Sequence, residues 1–220
     1  MVVVLDTGDG DPSIARAHAA ATIPSLDPAH SHQVARLALA LFDALAAPLA
    51  LPAEGRDLLA AAALWHDTGQ RFGLDQHHRA SYDVLMAERL VGFTDHDRQV
   101  IANLTRYHRG THPSREHSGY RELPRRLRPL VDALAALLRI AEALDAGHLQ
   151  VVRAFRCVDH GRYVTITVEA ETWPMLETER ARERAGLFRQ VFGRDIEFVP
   201  QVRSDAAATG PSPGNGEETA

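Results

Sequence analysis

The segment "ALWHDTGQRFG", Ala63 to Gly73, sets an imidazole beside a carboxylate, His66 and Asp67, at the end of an alanine-rich apolar run. Adjacent nitrogen and oxygen donors at a fixed spacing are the beginning of a divalent-metal site. The bland alternatives are a polar C-terminus exposed to water, where Asp67 would sit badly against the negative end of the helix dipole, or a chance adjacency. Further donors follow along the chain. His30 lies four residues before Val34 and so shares its helix face, His78 opens a later helix, and His108 closes another. In the last long helix Arg139, Glu142 and Asp145 recur at i, i+3 and i+6 in an otherwise apolar sequence, a polar line that a core helix does not carry without use. Taken singly, each histidine is more often solvated or singly hydrogen-bonded. One at the inner end of each successive helix, with a carboxylate on the closing helix, points to convergence on a common centre.

Imidazole and carboxylate donors without thiolate suit a divalent Mn, Fe, Co, Zn or Mg ion. Cys157 is the single cysteine, so neither a Cys-based zinc site nor an intrachain disulfide is available. His30, His66, Asp67 and a carboxylate of the closing helix, Glu142 or Asp145, would hold one ion; adding His78 and His108 would hold two, with Asp67 as the bridge. Such an ion lowers the pKa of a bound water and polarises an oxygen of a bound substrate. Guanidinium groups that could meet an anionic substrate stand close in sequence: Arg109 adjoins His108, Arg79 adjoins His78, and Arg139 precedes Glu142 by one turn. Catalytic roles are expected for Asp67, Arg109 and Arg139, and substrate binding for Arg79 and Arg109. Seven arginines between Arg106 and Arg128, against only Glu116 and Glu122, make that stretch locally basic. Of these, Arg121, Arg125, Arg126 and Arg128 read best as a solvated face. Trp65 and Tyr107 flank the histidines; such residues are more often core, although either could stack on a nucleobase.

The elements that must position these groups are mostly helical. Residues 1–26 show little periodicity and are expected as a loose or partly helical arm. Asp27–Pro28 starts a helix whose apolar face is Val34, Leu37, Leu41 and Leu45. Helices are expected over about Glu54–Asp67, stopped near Gly69, over His78–Leu90, and over Asp95–Tyr107 with Thr94 as cap. An irregular stretch follows, then a long apolar helix over about Arg126–Ala146, ended by Gly147. "LQVVRAFRCV" and "YVTITVEA" around "DHGR" predict a hairpin, and a helix over Met175–Phe192 with a strand "DIEFV" completes a β-β-α-β unit. The expected fold is mostly α, a helical bundle over 27–148 with the β-β-α-β unit appended over 149–200. The Gly/Pro/Ser-rich end, 201–220, is expected as a disordered tail.

The order His30, then His66–Asp67, then a carboxylate in "RIAEALD" resembles the HD superfamily of metal-dependent phosphohydrolases. More closely, "AALWHDTGQ", "HHRAS", "GFTDHDRQVIANLTRYHRG", "LAALLRIAEALDAGH" and "ERARERAGLFRQVFG" are similar to the C-terminal half of the exopolyphosphatase and guanosine pentaphosphate phosphatase family, over about Asp27 to Val199. The resemblance implies an HD-like helical domain and a substrate such as a nucleotide, an alarmone or polyphosphate. It places the superfamily's closing aspartate on Glu142, with Asp145, one turn further on the same face, as the alternative. The family's "HHKHS" is here "HHRAS", with Ala80 in place of a histidine, while His78 keeps its place three residues before Ser81 and His77 is the candidate to compensate. The family's N-terminal actin-like domains, which carry its recognised exopolyphosphatase site, have no room in this chain, so the resemblance does not bring that activity.

A metal-dependent phosphohydrolase is therefore the leading expectation. The alternative is a catalytically weak regulatory module that binds polyphosphate or nucleotide and partners a separate phosphatase. A net charge of −5 gives no general case for binding a nucleic-acid duplex, although the chain has no lysine and all its 24 cationic side chains besides histidine are arginines. No apolar run is long enough to span a membrane, and "MVVVLDTGDGD" turns acidic too soon for a signal peptide, so a cytoplasmic protein is expected. A homodimer is left open. If the site exists, His30, His66, Asp67 and Glu142 converge within a few ångströms of one point.

Overall fold

The structure, a computed structural model, describes residues 2–4 and 10–203. The chain runs β1 (Val2–Val4), α1 (Pro12–Ala20), α2 (Pro28–Leu45), α3 (Gly55–Trp65), α4 (His77–Ala87), α5 (Asp95–Tyr107), α6 (Ser118–Glu122) and α7 (Arg128–Ala143). Then come β2 (Val152–Asp159), β3 (Tyr163–Ala170), α8 (Met175–Arg184), α9 (Gly186–Phe192) and β4 (Asp195–Val202). The fold is mostly α, with a small β unit appended.

The alanine-rich run explains the bundle. Every residue of α3 from Leu58 to Trp65 is buried, and a helix enclosed on all sides is apolar all round. Small side chains at Ala60–Ala63 let α1, α2, α5 and α7 close in on it. Its C-terminus therefore ends inside the molecule, and the next two residues, His66 and Asp67, are delivered there. Caps set the neighbouring helices in phase. Asp27 Oδ1 accepts the His30 N–H at 3.0 Å, which starts α2 with Val34, Leu37, Leu41 and Leu45 all buried. Thr94 and Asp97 form a reciprocal capping box at the start of α5, 3.1 and 2.9 Å.

The hairpin pairs β2 with β3 antiparallel, Phe155 opposite Val168. The crossover through α8 and α9 lays β4 parallel to β3, Ile166 opposite Phe198. Alternate residues Val164, Ile166 and Val168 face the core. Gln33 of α2 donates from Nε2 to the Val152 carbonyl at 2.7 Å, tying the sheet to the bundle beside the loop that leaves α7.

Within the arm expected as loose or partly helical, Pro12–Ala20 forms the helical part, with Ser13, Ile14, Ala17 and Ala20 buried and Arg56 bonded to both Asp11 and Asp43. Several elements differ from the sequence expectation. Strand β1 adds an edge strand to the sheet. Helix α4 starts at His77, one residue early, behind Gln76 in the left-handed region. Helix α7 ends at Ala143, which leaves Asp145 beyond it in the following turn. The single helix expected over Met175–Phe192 is two: at Ala185 the N–H turns back to Arg182, ψ is −4°, and the poor helix former Gly186 follows. The tail expected over 201–220 lies, from residue 204 on, outside the described residues, as do residues 1 and 5–9. Among the described residues no helix is long and apolar enough to cross a membrane.

Candidate metal centre

Four buried imidazoles meet around one carboxylate. His30 comes from the first turn of α2, His66 and Asp67 from the end of α3, His77 from the start of α4 and His108 from the end of α5. Each ring is held from behind through Nδ1. His66 Nδ1 donates to the Ala63 carbonyl at 2.7 Å, His77 Nδ1 to Leu74 at 2.9 Å, and His108 Nδ1 to Thr105 at 2.7 Å. His30 Nδ1 donates instead to a carboxylate, Asp145 Oδ2, at 2.8 Å. Because those partners are acceptors, each Nδ1 carries the proton and each Nε2 presents a lone pair.

The Nε2 atoms then face one another. His30 and His66 Nε2 are 3.3 Å apart, and His77 and His108 Nε2 are 3.4 Å apart. Asp67 sits between the pairs. Its Oδ1 lies 3.0 Å from His77 Nε2 and 3.5 Å from His108 Nε2; its Oδ2 lies 3.4 Å from His66 Nε2 and 4.0 Å from His30 Nε2. Six acceptor atoms pointed inward repel one another unless a cation, or added protons, lie among them. Two sets, His30–His66–Asp67 and Asp67–His77–His108, each bring their ligand atoms within 4.8 Å of one another. Donors about 2.0–2.2 Å from a shared ion are separated by just such distances. The donor set therefore fits one or two divalent ions.

Without an ion, the cluster divides its charge among its own groups. Burial works against ionised Asp67, but His66, His77 and His108 outweigh it and hold the carboxyl well below the usual range. Burial likewise opposes a proton on His66, yet Asp67 outweighs it and raises that imidazole's pKa. Burial, and after it repulsion between His108 and any charge on His66, drives His108 well down.

The remaining sequence candidates lie around this centre. His78 is half-buried, its ring 6.2 Å from His77 and 6.5 Å from His108, and outside both sets of ligand atoms. Burial, then His77, Arg109, Arg79 and Arg106, push its pKa down to about 4. Arg79 and Arg109 are exposed beside it. Glu142 is half-buried and also outside the two sets, close enough for its charge to favour protonated His66. Arg139 is buried and donates to the Tyr107 and Gly110 carbonyls at 2.9 and 3.0 Å, so it braces the turn that carries His108 and Arg109. Trp65 and Tyr107 are core residues, 3% and 0% exposed. His77 was the residue least visible in the sequence. The structure fixes its direction: the hydroxyl of Ser81, four residues on, accepts the Gly69 N–H and donates to the His66 carbonyl, so that helix face meets the His66–Gly69 turn.

Residues 17–175 match the family described as Ppx/GppA phosphatase, domain III. No curated protein was found to match the chain.

Proposed function

The chain belongs to the Ppx/GppA phosphatase domain III family, and from that premise we propose that it is an HD-type, metal-dependent phosphohydrolase acting on a small phosphate-rich substrate, a nucleotide, an alarmone or polyphosphate. One observation carries the reading: four buried imidazoles, each with Nδ1 already bonded, turn their Nε2 lone pairs onto Asp67. His30, His66 and Asp67 Oδ2 would hold one ion, and Asp67 Oδ1, His77 and His108 a second. A divalent ion there supplies positive charge against phosphoryl oxygens and lowers the pKa of water toward neutrality.

The protein's own groups do the rest. Asp67 offers one oxygen to each half, and each backbone or carboxylate partner at Nδ1 keeps its ring aimed without rearrangement. Arg109 and Arg79 stand exposed where a phosphate would approach His77 and His108, and their planar forks match phosphate oxygens. His78, neutral at physiological pH, lines that approach rather than joining the ligands. Arg139 acts through the turn it braces. The test is phosphate release from a panel of nucleotides and polyphosphates with Mn²⁺ added. Wild type is expected to turn over at least one of them, and Asp67→Ala to lose more than about a hundredfold while remaining folded. Ligand binding without release by wild type, under every metal tried, would reject the enzyme in favour of a binding module.

A further inference from the structure

The two halves of the cluster are built unequally. Three of the four imidazoles lean on neutral backbone carbonyls, whereas His30 leans on Asp145. Asp145 is fully buried, and its one ion-pair partner among the described residues is His30. Its oxygens are otherwise filled by Gln150, whose backbone N–H reaches Oδ1 at 2.8 Å and whose Nε2 reaches Oδ2 at 3.3 Å. On the flat side, His148 stacks on His30 at 3.7 Å between ring centres and is itself tied to Asp27 Oδ2 at 2.8 Å. His30 is thus locked in plane and in tautomer. A carboxylate behind an imidazole increases the basicity of the far nitrogen and adds negative charge to whatever that nitrogen binds. The other half has no such carboxylate behind it; half-buried His78 lies 6.2 Å from His77 and 6.5 Å from His108 between ring centres, and the exposed guanidiniums of Arg79 and Arg109 are close enough to His78 to lower its pKa, positive charge that works against a cation nearby.

We propose that Asp145 is a positioning residue, acting through His30, that makes the His30–His66–Asp67 half the tight, resident ion site and leaves the Asp67–His77–His108 half loosely held and exchangeable. This rests on the metal reading above. The buried carboxylate has a reason under this assignment: a buried charge needs a compensating partner, and a cation on His30 Nε2 supplies one across the ring.

The test titrates the metal-free full-length chain with Co²⁺, following its visible absorption and the bound stoichiometry. Wild type should fill in two steps, one tight and one weaker. His108→Ala should keep the tight step and lose the weak one. Asp145→Asn, which keeps the shape and removes the charge, should weaken the tight step by about 10–100-fold and leave the weak one in place. A merely structural role would weaken both steps alike, and that result would overturn the assignment, as would an unchanged tight step in Asp145→Asn or its loss in His108→Ala. Should Asp145→Asn fail to fold, Gln150→Asn tests the same link. Asparagine tolerates the positive φ of 49° there, but its shorter amide cannot reach Asp145, so a few-fold loss confined to the tight step is expected and no loss would contradict the proposal. Wild type that binds no Co²⁺ would instead bring down the metal reading itself.

Discussion

At the scale of single residues, what matters is which nitrogen of each imidazole is already taken. His30, His66, Asp67 and His108 were legible in the sequence because cap and periodicity fix their helix ends. His77 was not separable from His78, because adjacent histidines at a helix start differ only in phase, and the phase is set by Gln76 at φ 55°, which no propensity announces. Glu142 and Asp145 were inseparable for a related reason: periodicity places both on one face, but α7 ends at Ala143 and Asp145 curls back to His30. Two substitutions probe the surroundings. Arg109→Ala should weaken binding of a phosphate-rich ligand by roughly tenfold, the scale of one charge-assisted hydrogen bond, while bound metal stays unchanged by elemental analysis. Metal loss in that variant would move Arg109 from the phosphate to the frame. Arg139→Met strips donors from two carbonyls, at Tyr107 and Gly110, and should cost about 2–4 kcal/mol in urea unfolding; an unaltered midpoint would show that the turn holds without it.

At the scale of elements, the site depends on how closely the turn after α3 approaches α4. A Cβ at Gly69 would lie 2.2 Å from the His77 carbonyl oxygen and 2.4 Å from the Ser81 nitrogen, both backbone atoms that cannot swing away. Gly69→Ala should therefore push α4 outward, lower stability by roughly 1–3 kcal/mol and loosen metal held through His77. Retained thermal stability with full metal content would contradict that packing argument. Gly69 was read in the sequence only as a helix stop. The clamp between α1 and α3 was not legible at all, because the buried face of α1 is one isoleucine among small residues and gives little hydrophobic signal. There Arg56 hydrogen-bonds Asp11 and holds its carboxyl below the usual 3.8. A depressed carboxylate contributes stability above that value and loses it as pH falls through the folded pKa. Arg56→Met should thus be less stable than wild type by about 1 kcal/mol at pH 7, modest because the ion pairs are partly exposed. The gap should shrink below about pH 4; a gap that widens in acid would mean the clamp is apolar packing instead.

At the scale of the whole molecule, the enclosed stretch of α3 from Leu58 to Trp65 carries its polar C-terminus into the centre, and the helices around it bring their histidine-bearing ends to the same point. The fold class and the hairpin were legible because long periodic and alternating segments carry them. The parallel return of β4, the added edge strand β1 and the tie from Gln33 to Val152 depend on tertiary pairing, which leaves little local trace. Those contacts matter to the centre, since they anchor the loop between α7 and β2 that holds Asp145 and His148 against His30. We propose that this arrangement holds divalent ions. Its most direct test is anomalous X-ray diffraction at the Mn edge from crystals grown with Mn²⁺. A metal centre of this kind requires an anomalous peak bonded at about 2.0–2.2 Å to His30, His66 and Asp67, with a second near His77, His108 and the other Asp67 oxygen at higher metal concentration. Crystals soaked in excess Mn²⁺ that show no anomalous peak among these residues, with water or imidazolium hydrogen bonds in its place, would contradict it.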